Sequence, residues 1–326
     1  MQVGEDFYAL TESASLMKVD PEVLETEDKV DLRNYVAVNV ATAHPHYGDD
    51  QTVYNMGTSY GGQSFYNIIK IPPPNPGSTT DPLEKASVLC KIPASSSLYP
   101  SYFHSLAITK NYIVFLEQPL TINIIKILFA RILGRNFAGC IDFTPSSLAK
   151  FHVVRLEDGA ILPQKYTADA FFCFHHINAF EDNGHLVVDL CAYDDIQVIF
   201  NTYMEVLRRG NPPVTDAFAK RFVFPLVDGI DELAVHRFIR CDAFAPEVEG
   251  PRINYDKYNG QKYRYFYSLS DDVQRAGVVL SSVIDLKGTG RPPFLVVLDA
   301  KTFTELGRAE IPADVPFGFH GIFIQK

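Results

Sequence analysis

The sequence predicts an all-β protein of the propeller or barrel kind, and three observations carry that expectation. Short runs rich in β-branched and aromatic residues recur between Pro, Gly and Asp turn signals along nearly the whole chain. Helical spacing is almost absent from them. Four histidines, His44, His104, His175 and His320, each sit in such a run, one per stretch of chain, as expected where several β units converge on one axis.

The elements follow in chain order from local chemistry. MQVGEDFYAL opens directly in strand-like residues with no leading cap or loop, a start that reads as truncated. YVAVNVATAHPHY is expected to be a strand carrying His44, turned back by Gly48-Asp49-Asp50. SFYNIIKIP, SVLCKIP, NYIVFLE and FHVVRL follow as strands, interrupted by the Pro-rich surface loop IPPPNPGSTTDP at residues 71–82. AFFCFHHINAF and HLVVDLCAY are joined by Asp182-Asn183-Gly184, where Asn-Gly supplies the positive φ angles of a type I′ hairpin. Residues 204–218 read as a long connection with one or two helical turns, and RFVFPL, KYRYFYSL, AGVVLSSVIDL and PFLVVLDA complete the strands.

One stretch departs from the pattern. LTINIIKILFARIL, residues 120–133, has helical spacing: Ile124, Ile125, Ile127, Leu128, Ile132 and Leu133 form an apolar surface beside Lys126, Arg131 and Arg135. Such a helix either packs on the core or lies among lipid headgroups, where basic side chains meet anionic lipid.

Composition narrows the class. With 326 residues, 47% of them hydrophobic, the chain can bury one large core, and residues 1–326 are expected to form a single domain. A formal net charge of -10 and a pI near 5.4 argue against a nucleic-acid partner, which needs a concentrated basic face. The five cysteines form no CxxC pair and are odd in number, so a secreted disulfide framework is not expected. A reducing compartment follows: cytoplasmic, with membrane association and a mitochondrial location both open. No run reaches the ~18 to 20 apolar residues that span a bilayer, and the start lacks a signal-peptide pattern. GxGxxG and Walker sequences are absent, which removes the common nucleotide-binding readings.

The chemistry therefore rests on histidine. A lone histidine in a strand is ordinarily a hydrogen-bonded core or surface residue, but the four contexts are unusual. Pro45 fixes the chain after His44, and Gly318 and Gly321 flank His320, where a backbone can approach something central. Four imidazoles could by ligand type alone hold iron, zinc, copper or nickel. His46 and His176 are expected to point away from such a site, and His152, His185 and His236 to be structural or exposed.

The runs ATAHPHY, PSYFHS, FHHINAFEDNG and GFHG, in this order, resemble the carotenoid cleavage oxygenases, the metazoan β-carotene oxygenase branch in particular. The likeness extends from Phe7 to about Lys326 and includes ETEDKVDLRNYVAVN, KRFVFPL and LDAKTFTELGRAEIP. It implies a seven-bladed β-propeller, incomplete here, with iron(II) (Fe2+) on its axis bound by His44, His104, His175 and His320. It implies too that glutamates hold the outer imidazole nitrogens. Glu12, in LTES, and Glu249, in EGPRINY, match two such positions. The third has no counterpart in Val273-Gln274-Arg275-Ala276, with Asp271 and Asp272 as nearby substitutes. The stretch from Arg221 to Gly277 reads as shortened.

The implied activity is an iron(II)-dependent dioxygenase that cleaves a conjugated double bond of a carotenoid, with O2 and carotenoid as partners, to give apocarotenal or retinal products. Two alternatives stand beside it: a retinyl-ester isomerohydrolase-like enzyme, and a catalytically impaired carotenoid- or retinoid-binding fragment.

Overall fold

The structure, a computed structural model, describes every residue except 79, 131, 133, 135, 210–216, 227–234, 238–247, 270–277, 284–291, 300, 301, 303 and 312–326. Its contacts group the chain into two units, Met1–Phe266 and Tyr267–Lys326.

The first unit is a series of antiparallel sheets laid down in chain order. Strands β1 (Gln2–Val3), β2 (Asp6–Leu10), β3 (Ser15–Val19) and β4 (Thr26–Asp31) form a four-stranded meander. β5 (Val40–Ala41) and β6 (His46–Tyr47) both pair with β7 (Val53–Ser59), which continues into β8 (Phe65–Ile71) and β9 (Ser87–Pro93). In the third sheet β10 (Ala107–Ile108) pairs with β11 (Tyr112–Glu117). A two-stranded ribbon of β12 (Leu120–Ile122) and β13 (Ile141–Phe143) branches off before the sheet resumes with β14 (Ala149–Arg155) and β15 (Lys165–Ala168). β16 (Phe172–Asp182), β17 (His185–Tyr193) and β18 (Phe218–Pro225) make the fourth, and β19 (Val235–Arg237) adds to β15 in parallel. β20 (Glu249–Arg252) lies near the end of the unit.

Period-two alternation explains why these sheets stack side by side. On β11, Ile113 and Phe115 face Tyr66, Ile68 and Ile92 of the second sheet, while Val114 and Leu116 face Phe151, Leu186 and Val188 of the core shared with the fourth. On β8, Tyr66 and Ile68 point to the third sheet and Ile69 and Ile71 to the first. A strand buried on both faces is a continuous apolar run, which is what NYIVFLE and SFYNIIKIP are. Each such side chain contributes about 1.5–3 kcal/mol of transfer free energy. Asn183 (φ 50°) and Gly184 (φ 75°) close the β16–β17 hairpin as the sequence predicts.

Three expectations need correction. YVAVNVATAHPHY is not one strand: within it only β5 and β6 are extended ladders, with His44 in the loop between them. KYRYFYSL is strand only at β21 (Tyr267–Leu269), which falls in the second unit, and is preceded by helix α4 (Tyr255–Tyr258). Residues 120–133 do not form one helix. Leu120 and Ile122 alternate into the core as β12, and the helix α1 is confined to Ile124–Ala130. Ile124 and Ile127 of α1 pack inward, whereas Ile125, Leu128, Phe129 and Ile132 are exposed. Arg131, Leu133 and Arg135 lie outside the described residues. The connection after β17 carries α2 (Gln197–Asn201), ahead of the stretch where helical turns were expected, and α3 (Met204–Arg208), which falls within it.

The second unit contains β22 (Val278–Val283), β23 (Phe294–Asp299) and β24 (Glu305–Glu310), a three-stranded antiparallel sheet.

Candidate metal centre

His44, His104 and His175 come together, although they are far apart in sequence. Each sits at the first strand of a different sheet: His44 between β5 and β6, His104 just before β10, and His175 in β16. Pro45 disfavours helical backbone at His44 and keeps that segment extended. β16 shifts register against β17 on either side of His176, and such a bulge re-aims neighbouring side chains. Hydroxyl bonds tie these segments to one another next to the histidines. Thr42 donates to the His104 carbonyl, and Ser105 donates to the Phe174 carbonyl at 2.7 Å.

One ring nitrogen from each of the three histidines lies within 4.8 Å of the other two. His44 Nε2 is 2.9 Å from His104 Nε2, which is 3.2 Å from His175 Nε2. The opposite nitrogens are held by carboxylates: His104 Nδ1 meets Glu12 Oε1 at 2.6 Å, and His175 Nδ1 meets Glu249 Oε1. A carboxylate only accepts, so in each pair Nδ1 carries the proton and Nε2 presents a bare lone pair. The bare lone pairs of His104 and His175 at this spacing repel, and a cation between them removes the repulsion. An ion ~2.1 Å from each nitrogen would see them at roughly a right angle, closer to octahedral than to tetrahedral coordination. The donor set therefore fits a divalent metal that takes imidazole and keeps further positions open.

The neighbouring histidines behave differently. His46 places Nδ1 2.9 Å from the Tyr255 hydroxyl and Nε2 3.0 Å from the Leu106 carbonyl, and burial lowers its pKa. His176 Nδ1 lies 2.7 Å from Ser105 Oγ, whose single proton goes to Phe174, so Nδ1–H is the donor. Burial first, then His46 and His175, push His176 down to about 3. Both are neutral core residues. His152 Nε2 pairs with buried Glu117 at 3.0 Å, and His185 is exposed beside the Asn183 carbonyl. Of His236 only the backbone is described, in β19. His320, Asp271 and Asp272 lie outside the described residues.

Two residues at the site had no signal in the sequence. Tyr102, two positions before His104, donates to Glu12 Oε1 at 2.8 Å, and Tyr193, at the end of β17, donates to Glu249 Oε2 at 3.1 Å. Tyr102 falls inside PSYFHS, where the histidine drew the attention, and Tyr193 stands in no recognisable motif. Beside Glu12 and Tyr102 opens a small recess of about 50 Å³ whose walls include Val40, Ala41, Tyr60, Phe103, Ile122 and Phe137. Those walls are mostly apolar.

Comparison with known proteins follows the same lines. The sequence profile described as Retinal pigment epithelial membrane protein matches residues 1–276 and 270–325. A protein of Mustela putorius furo named "Carotenoid-cleaving dioxygenase, mitochondrial" is 36% identical over 391 residues, covering 98% of this chain and 72% of the relative. One of Gallus gallus named "Beta,beta-carotene 15,15'-dioxygenase" is 35% identical over 392 residues, covering 100% of this chain and 74% of the relative. The first alignment runs over 391 positions against 326 residues here, so at least 65 positions (391 minus 326) face gaps in this chain. Among solved structures, cobalt-substituted Synechocystis apocarotenoid oxygenase superposes with a TM-score of 0.68 at 19% identity, over 100% of this chain and 74% of that one. A likeness at that identity shows the fold alone. The chain spans 58% of a crystallised chimera of that oxygenase type, with a TM-score of 0.60.

Proposed function

The chain belongs to the Retinal pigment epithelial membrane protein family, and from that premise we propose that it is a carotenoid-cleaving dioxygenase whose metal is iron(II). The observation that carries the reading is the convergence of ring nitrogens from His44, His104 and His175, two of these imidazoles backed by glutamate. His320 is the proposed fourth ligand. The reading extends to the fold: antiparallel sheets packed side by side, each offering its first strand to one axis, are the plan of a propeller, here taken as seven-bladed and one domain.

The residues of this chain divide the work. The imidazoles are neutral donors, so they leave the full charge of a divalent ion uncancelled. Iron(II), when bound there, supplies the redox chemistry that O2 requires, and no side chain has to act as acid or base. Glu12 and Glu249 keep each Nδ1 protonated and each Nε2 aimed inward. The recess walls are mostly apolar, as contact with a polyene requires, since a polyene offers no polar group to recognise and is selected by shape and apolar contact.

A carotenoid substrate reaches the protein from an apolar phase. The exposed Ile125, Leu128, Phe129 and Ile132 on and after α1 support a peripheral membrane contact. Among the described residues no helix is long and apolar enough to cross a membrane. Two locations fit this reading, a cytoplasmic one and the mitochondrial one that appears in the name of the Mustela relative.

The two relatives named dioxygenases favour cleavage over isomerohydrolysis or plain binding. Iron-loaded protein incubated with β-carotene and O2 should yield aldehyde products detectable by chromatography, and the His175→Ala variant should yield none. Equal product from both, or none from the wild type, overturns the reading.

A further inference from the structure

Two buried tyrosines end on the carboxylates that hold the imidazoles, and we propose that Tyr102 and Tyr193 are positioning residues for His104 and His175, acting through Glu12 and Glu249. The proposal rests on the metal-site reading above and concerns how tightly that site holds an ion.

The two arrangements differ in detail. Glu12 receives both donors on one oxygen: Oε1 takes the Tyr102 hydroxyl at 2.8 Å and His104 Nδ1 at 2.6 Å, with the hydroxyl itself 3.1 Å from that nitrogen. Glu249 divides them, Oε1 facing His175 and Oε2 taking the Tyr193 hydroxyl at 3.1 Å. The outcome is the same. The terminal torsion of a glutamate is broad and soft, so a carboxylate with a single partner fixes an imidazole only loosely. A second donor from a rigid ring removes that freedom.

Both phenols are suited to the task because they are buried beside the carboxylates. Tyr102 is 9% exposed and Tyr193 2%. They are also packed together. The Phe172 ring lies 6.4 Å from Tyr102 and 5.7 Å from Tyr193, and meets Phe174 edge-on at 4.4 Å. Phe174 in turn stands 5.2 Å from the His104 ring and 6.2 Å from that of His175. One aromatic block thus sets the position of both glutamates.

Groups that orient a ligand from behind typically change metal affinity 10–100-fold when removed. Co2+ serves as the probe, added to the metal-free full chain and followed by its visible absorption. The dissociation constant is expected to rise about tenfold in Tyr102→Phe and in Tyr193→Phe. It should stay at the wild-type value in Tyr166→Phe, a buried tyrosine that donates to the Pro225 carbonyl at 2.7 Å instead. The decisive arm is a double-mutant cycle. In a Glu12→Gln background Tyr102→Phe should add less than about twofold, because a tyrosine acting through Glu12 has nothing left to act on.

Unchanged affinity in both single variants overturns the proposal, and so does an equal loss with and without Glu12, which marks the tyrosine as merely structural. The two tyrosines are read separately, so poor folding of one variant leaves the other decisive. A wild-type chain that takes up no cobalt sinks the metal site itself, and this role with it. Cobalt uptake by the wild type with unaltered variants sinks the tyrosines alone.

Discussion

His104 and His175, 71 residues apart in the chain, bring their Nε2 atoms to within 3.2 Å of each other, while Glu12 and Glu249 hold the protons on the far side of both rings. Nitrogens so arranged have nothing to offer one another. They share a preference for a positive charge between them, and the stability of this part of the fold depends on whether one is present.

Metal removal should therefore destabilise the chain. A bound ion at 100 times its dissociation constant adds about 2.7 kcal/mol to folding. Thermal unfolding of iron- or cobalt-loaded protein should lie several degrees above that of chelator-treated protein and return on reloading. Coincident transitions would contradict this.

The neighbouring histidines give a sharp contrast. His175→Ala removes a ligand and should abolish stoichiometric metal uptake. His176→Ala leaves Ser105 Oγ without its imidazole partner, at a cost of about 1–3 kcal/mol in stability, yet should keep the metal. Metal content and melting temperature of the two variants separate the roles, and loss of metal from both alike would contradict them.

Much of this was legible in the sequence. Short β-branched and aromatic runs such as NYIVFLE announced strands, and Asn183-Gly184 announced its hairpin. His44, His104 and His175, singled out in the sequence, lie together, with Glu12 and Glu249 against two of the rings. What was hidden depends on contacts between distant segments. The register shifts that let His175 face inward and His176 face Ser105 leave no mark in FCFHHINAF. Tyr102 and Tyr193 look like any strand tyrosine until the carboxylates arrive from residues 12 and 249. The helical reading of residues 120–133 holds for Ile124–Ala130 and not for Leu120 and Ile122, which pair with β13 instead.

Glu117 links acidity to stability. Burial alone would raise its carboxyl, but hydrogen bonds from His152 and from the Ser95 backbone and hydroxyl outweigh that and lower it. A carboxyl whose folded pKa is depressed contributes stability above its unfolded pKa, about 4.3 for glutamate, and loses it as pH falls through the lower folded value. Unfolding free energy should therefore fall as the pH is lowered past that range, and Glu117→Gln should flatten the slope. An unchanged slope would contradict the assignment.

The exposed face of α1 makes a separate prediction. Leu128, 69% exposed, can become Asp with little effect on folding, since surface changes usually stay within about 0.5 kcal/mol. Sedimentation with anionic phospholipid vesicles should drop severalfold in Leu128→Asp. Equal binding by wild type and variant would remove α1 from the membrane reading.

X-ray absorption at the iron edge of the anaerobically loaded chain tests the shared ion most directly. The account predicts a shell of nitrogen near 2.1 Å with the outer-ring scattering of at least three imidazoles, reduced by one in His104→Ala. A spectrum with oxygen ligands only, or one unaltered by that substitution, would contradict it.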